Sequence, residues 1–291
     1  MTLSIVARDV RTGQMGVAVL TGYLAVGQKV PWVEPGVGAV ATQAITEASY
    51  GPETLDLLRL GTDPRGVLSD LLDADPLRES RQVGVVDQAG RTAAHTGGEC
   101  ITAAGHAVGE GVVAMANMVG ADGAWNTMLD AYEMADGALT DRLHDAVIAG
   151  HRAGGDLRGS TSAAILTVSG DPGEPPWSRL VDLRVDDHPD PVDELSRLLR
   201  LHGMYALMGE GINAIYAGRH DQARSALHAA VEHELGDVQA GFWRAVAAFS
   251  AGDTDAAESL LVEATGGDPA WLLLWERLGS AGRGGLEPPT S

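Results

Sequence analysis

Leu3, Ile5 and Ala7 alternate with Ser4, Val6 and Arg8 at the start of the chain. That period of two predicts a β-strand over residues 2–9 with one more polar face. A turn at Arg11-Thr12-Gly13-Gln14 and an apolar run over 15–20 complete a hairpin. Another strand is predicted over 37–44, ending in polar Thr42-Gln43. Ser49-Tyr50-Gly51-Pro52-Glu53 reads as a helix start, and Leu55, Leu58, Leu68, Leu71 and Leu72 give helical spacing across two helices. Asp63-Pro64 starts the second and Asp75-Pro76 ends it. Residues 83–86 and 92–95 form a second hairpin, and 111–118 a further apolar strand stopped by Asn117. Amphipathic helices follow over 125–135 and 139–153, then strands over 160–168 and 180–185, joined by a Gly/Pro-rich loop at 170–176.

The order is strands, two helices, strands, two helices, strands, with hairpins dominating. It predicts an α+β domain of two antiparallel sheets with helices layered outside. Runs that barely alternate, such as 112–116, fit strands covered on both faces. From about Met204 the pattern turns purely helical. Ala217-Gly218-Arg219-His220-Asp221-Gln222-Ala223 is echoed by Ala251-Gly252-Asp253-Thr254-Asp255-Ala256-Ala257. The spacing of the two copies is that of tetratricopeptide repeats. Asp268-Pro269-Ala270-Trp271 then opens a helix that would cap the array. Two domains are expected, 1–202 and 203–291, and the 291-residue length supports the division.

Composition narrows the function classes. Forty acidic against 20 basic residues give a net charge of −20 with no basic cluster, which argues against nucleic acid and anionic membranes as partners. Cys100 is the single cysteine, so no internal disulfide forms. No long apolar span or leader is legible, and a cytoplasmic protein is expected. Sheets with small-residue faces and a short helical array are compatible with a homodimer and with a protein partner on the repeats.

Thr2 carries the first chemical possibility. Removal of the initiator Met would put an α-amine and a hydroxyl on one residue, and a terminal amine can take the hydroxyl's proton. As a β-branched residue, Thr2 also simply starts a strand.

Longer motifs carry a resemblance. They are Thr2-Leu3-Ser4-Ile5-Val6-Ala7-Arg8-Asp9, Leu24-Ala25-Val26-Gly27, Val30-Pro31-Trp32, the glycine-alanine strand from Gly36 to Ala44, and Ser49-Tyr50-Gly51-Pro52. Ala94-His95-Thr96-Gly97, Gly154-Gly155-Asp156, Ser162-Ala163-Ala164 and the run from Val181 to Pro189 complete the set. Over residues 2–202 the chain resembles the family labelled domain of unknown function 1028, placed in the N-terminal-nucleophile (Ntn) hydrolase superfamily. The resemblance implies a four-layer αββα sandwich and implies no known substrate. The leading expectation is an Ntn-type amide hydrolase with Thr2 as nucleophile, acting on a small-molecule or short-peptide amide, with no cofactor.

Candidate partners for Thr2 follow. Ser4 shares its face and could orient the amine. Asn117, and Gln43 with Thr42, are uncharged donors at strand ends, suited to a developing oxyanion. His95 could titrate near neutral pH. Proteasome-like members of the superfamily set an Asp and a Lys beside the nucleophile. Here residues 16–20 offer no acid, while Lys29, the only lysine, follows the first hairpin and could lie near Thr2. Tyr50 is a further binding candidate, as are Asp156 and Arg158 in a glycine-bounded loop that could hold an anion or lock itself by an internal ion pair. Asp186-Asp187-His188 has metal-type side chains, but three consecutive residues cannot all face one ion on a strand, and capping with Arg184 pairing is expected instead. The competing reading is a catalytically silent sandwich that binds a small ligand and uses its helical repeats as an interaction surface.

Overall fold

The computed structural model describes residues 2–233 and 235–280. The chain divides into two compact units, one up to Arg197 and one from Leu198 onward.

The first unit is mixed α+β. Strands β1 (Thr2–Arg8), β2 (Met15–Thr21), β7 (Gly105–Gly109), β8 (Val112–Asn117), β9 (Ser162–Val168) and β10 (Val181–Val185) form a six-stranded antiparallel sheet in the order β10-β9-β2-β1-β8-β7. Strands β3 (Pro31–Glu34), β4 (Gly38–Ala44), β5 (Arg81–Asp87) and β6 (Thr92–Thr96) form a second antiparallel sheet in sequence order. The hairpin and strand readings hold, with two additions. β3 is only four residues long. β7 is glycine-bounded and only partly buried, so neither offers a period to read.

The sheets pack face to face through β1, β2 and β8 on one side and β4 and β5 on the other. Their shared core is Val6, Val17, Val19, Ala39, Ala41, Val113 and Met115, all fully buried. Small residues allow this approach: a Cβ on Gly84 would lie 3.0 Å from the sulfur of Met115. Helices α1 (Tyr50–Arg59) and α2 (Pro64–Ala74) pack on the four-stranded sheet, burying Leu55, Leu58, Val67 and Leu68 against Val40, Val83 and Val85. Helices α3 (Ala124–Met134) and α4 (Leu139–Arg152) pack on the six-stranded one. Strand β2 is therefore covered on both faces, which is why its sequence is one apolar run rather than an alternation.

Helix α5 (Pro191–Tyr216) contains the division between the units. It starts well before the predicted all-helical change at Met204, because Asp190 and the acidic pair Asp193 and Glu194 already make a helix N-terminus there. The second unit continues as α6 (His220–Glu232), α7 (Val238–Ser250), α8 (Thr254–Thr265) and α9 (Pro269–Ser280). Helices α6 and α8 begin at equivalent positions of the two sequence copies, each shortly after a glycine with positive φ, Gly218 at +68° and Gly252 at +85°. Small residues Ala223, Ala230, Ala240 and Ala257 fill the crossings, and Phe242 stacks edge-on with Trp275. Among the described residues no helix is long and apolar enough to cross a membrane.

Candidate active site

Strand β1 is central, and its first residue is paired on both sides: Thr2 faces Thr21, the last residue of β2, and Asn117, the last of β8. Three strands thus end in line at one sheet edge, and each ends in a polar side chain. The Thr2 and Thr21 hydroxyls lie 3.2 Å apart. Above this edge opens a cleft of about 560 Å³. Its lining includes Thr2, Thr21, Lys29, Asn117 and Arg158, together with Tyr23, Ile45, Glu99, Cys100 and Met118.

Beneath the edge, a buried polar seam crosses the sheet interface. Ser4 Oγ donates to Gln43 Oε1 at 2.7 Å, and Gln43 Nε2 donates to the Thr2 carbonyl at 3.3 Å and to Gln82 Oε1 at 2.6 Å. Asn117 Nδ2 also donates to Gln82 Oε1, at 2.9 Å. Gln82 Nε2 in turn donates to Thr96 Oγ1, Gly105 O and Ala116 O. An amide both donates and accepts, so two glutamines in register on adjacent strands can satisfy one another and their neighbours inside a core that admits no charge. The seam fixes the carbonyl of Thr2 and the orientation of the Asn117 amide.

One wall is built from the loop after β2 and the loop before β9. Asp156, its side chain fully buried, accepts from Gly22 N at 2.7 Å and from Arg158 N, Nε and Nη2. Burial pushes its carboxyl up, but the Arg158 and Gly22 bonds outweigh this and hold it below the ordinary range. Glycine is required at 22, where a Cβ would stand 2.3 Å from Gly159 O. Lys29 Nζ lies 5.2 Å from the centre of the Tyr23 ring.

Three non-glycine residues among those described have positive φ: Ala25 (53°), Ala44 (67°) and Met118 (54°). Ala44 and Met118 line the cleft, and Ala25 sits in the loop that carries Tyr23 and Lys29. Held left-handed backbone of this kind costs energy and gathers at functional sites. Cys100 also lines the cleft, but burial raises its thiol above the ordinary pKa and its Sγ is directed at Arg81 O, so it is a poor nucleophile.

Thr2, Lys29, Asn117 and Arg158 therefore converge on the cleft, while the other sequence candidates take different positions. Ser4 and Gln43 lie in the seam below, fully buried, because the period of two turns them to the inter-sheet face. Asp156 is the buried anchor of Arg158. Thr42 points the other way and donates to Glu47 O. Tyr50 is in the helix-sheet core, its hydroxyl donating to Asp75 Oδ2 at 2.9 Å. His95 reaches the Arg78 carbonyl from Nε2 at 2.8 Å and does not line the cleft. His188 turns back on its own loop, Nδ1 lying 2.7 Å from Asp190 O, and Arg184 pairs with Asp182 rather than with Asp186 or Asp187. Gln82 is the residue that sequence reasoning misses. Its only signal is a lone amide just ahead of the Val83 run, where a solvent-facing strand end is the ordinary reading.

A crystal structure of protein SPO2555 from Silicibacter pomeroyi, a DUF1028 protein, is similar at 34% sequence identity and a TM-score of 0.62, covering 68% of this chain and 84% of that one. None of the curated proteins matches. The DUF1028 model, described as a family of unknown function, matches residues 2–195, a span that holds every residue lining the cleft, and the chain belongs to that family.

Proposed function

We propose that this chain is an amide hydrolase of the N-terminal-nucleophile type, with Thr2 as nucleophile after loss of Met1. The observation that carries the reading is the position of Thr2: first residue of the central strand, between Thr21 and Asn117, on the floor of the cleft. The packing of two sheets between helix pairs is what a four-layer αββα sandwich of that superfamily requires. In the proposed reaction the Thr2 hydroxyl attacks the substrate carbonyl carbon, and its proton passes to the Thr2 α-amine. The second N–H of Asn117, beyond the one given to Gln82, would meet the developing oxyanion. The C–N bond breaks, the leaving nitrogen takes the proton from the α-amine, and an acyl ester remains on Thr2. Water, giving a proton to the amine, cleaves the ester and the hydroxyl is restored. A cytoplasmic location, a homodimer and a tetratricopeptide-like role for the helical unit belong to the same reading.

Intact-mass measurement of the purified protein tests it first: loss of one methionine is expected. Wild type and Thr2→Ala are then assayed against an amide panel. Retained Met1, or equal turnover by the two proteins, overturns the reading and leaves a ligand-binding sandwich.

A further inference from the structure

The cleft is electrically unlike the rest of the chain. The protein carries −20 overall, yet Lys29 and Arg158 line a cleft whose lining has one carboxylate, Glu99. Arg158 is balanced by the buried Asp156 behind it, which leaves Lys29 as the positive charge with no carboxylate bonded to it among the described residues. The two cations belong to the same wall. The loop bearing Tyr23 and Lys29 is tied to the loop bearing Arg158 by Gly22 N to Asp156 Oδ2, Thr161 N to Thr21 O, and Ser162 Oγ to the Tyr23 carbonyl. Glu99 belongs to the other side: its N–H donates to Glu79 O and its carboxylate accepts from Ser80 Oγ, both just before β5.

Lys29 is paired with no carboxylate among the described residues, and its ammonium stands over the Tyr23 ring. A ring face attracts an ammonium and orients it but leaves the charge whole. Arg158 is anchored from below by Asp156, whose side chain is fully buried while that of Arg158 is 45% exposed. The anchoring holds the guanidinium in place at the surface of the cleft.

We infer that the Lys29–Arg158 wall is an anion seat, and that the substrate of this cleft is a small amide bearing a free carboxylate, of the N-acyl amino acid or short-peptide class. The inference deepens the reading of the cleft given above but does not depend on Thr2 being reactive. Lys29 is a binding residue here, not a partner in proton transfer. The carboxylate docks against the Lys29 ammonium beside the Arg158 guanidinium, and the amide carbonyl then lies over Thr2 and Asn117.

The test is equilibrium binding to full-length Thr2→Ala protein. The probes are N-acetyl derivatives of a set of apolar amino acids, each as free carboxylate and as carboxamide. The carboxylate member is expected to bind roughly tenfold to hundredfold more tightly, the range for hydrogen bonds to charged groups. Rising salt should erode that preference, Lys29→Met should abolish most of it, and Lys29→Arg should retain it. Equal affinity within each pair, binding of neither member, or a preference that survives Lys29→Met overturns the seat. Wild type that cleaves carboxamides as fast as carboxylates would sink this inference and keep the Thr2 reading. Carboxylate-selective binding by a protein that hydrolyses nothing would do the reverse.

Discussion

The two ends of strand β1 are about 20 Å apart, seven residues at the rise of an extended chain, and they are built on opposite terms. At the Arg8 end the chain turns through Asp9, a carboxylate 1% exposed. Asp9 accepts from the backbone of Arg11 and Thr12 and is bridged by Arg11 and Arg142. Burial pushes its carboxyl up, the bonds from Thr12 and Arg11 outweigh this, and it is held below the ordinary range. At the Thr2 end the three strand-end side chains, Thr2, Thr21 and Asn117, are uncharged, the backbone is strained at Ala44 and Met118, and the space above is open, with Lys29 and Arg158 on its wall. A closed charge network around a buried carboxylate serves the fold. Neutral donors, strained backbone and a cleft leave reactive groups under-committed, as a site must.

That contrast is broken most sharply by exchanging the effects of the two ends. Thr2→Ala is expected to lower amide turnover at least about 10³-fold. It removes a single hydroxyl contact with Thr21, so unfolding free energy should fall by less than about 1 kcal/mol. Asp9→Ala should do the opposite. It strands Arg142, only 16% exposed, and is expected to cost about 3–5 kcal/mol by urea unfolding. Turnover per folded molecule should be unchanged. A Thr2→Ala protein that unfolds readily, or an Asp9→Ala protein that is stable but slow, would erase the distinction.

The seam beneath Thr2 sharpens it, because there stability and chemistry meet. Gln82→Met keeps the volume but leaves the amides of Gln43 and Asn117 and the carbonyls of Gly105 and Ala116 short of a partner. About 3 kcal/mol of stability should be lost. Turnover should fall about tenfold to hundredfold, in kcat more than in KM, as the Asn117 amide loses its orientation. A loss confined to stability would make the seam purely structural.

What is legible in the sequence follows from how local each signal is. The β1 alternation, the two hairpins and the paired helices are set by residues within a few positions of one another, and they stand where the pattern puts them. Thr2, Lys29, Asn117 and Arg158 stand out by chemistry and position, and the sheet register then brings them to one cleft. The failures are non-local. Thr42 and Gln43 are adjacent strand-end polar residues, but only the facing sheet decides that Gln43 enters the seam while Thr42 turns to Glu47. Tyr50 reads as a site residue because its hydroxyl partner, Asp75, is distant in sequence at another helix end. Strand β7 exists because β8 offers it a partner, not because Gly-His-Ala-Val-Gly prefers to be extended.

Asp75 supplies the mildest test and lies between the two extremes. Its carboxylate binds Arg81 Nε at 2.7 Å, and Arg81 reaches on to the Ile45 carbonyl, behind a residue that lines the cleft. The Arg81 bond, with help from the Leu77 N–H and the Tyr50 hydroxyl, lowers the Asp75 pKa from 3.8 to about 2, against a smaller opposing push from burial. A carboxyl with a depressed folded-state pKa adds stability above its unfolded pKa, and that stability is lost as pH falls from about 4 towards 2. The shift corresponds to about 2 kcal/mol. Asp75→Asn should therefore unfold about 2 kcal/mol more easily than wild type at pH 7, with the gap closing below pH 4, mostly closed at pH 2 and vanishing only below it, read by urea titrations across that range. Because Arg81 also holds Ile45, the variant should raise KM a few-fold where Asp9→Ala does not. Charge networks then differ by address: one that backs a cleft wall shows in substrate binding, and one at the far end of the same sheet shows only in the unfolding curve.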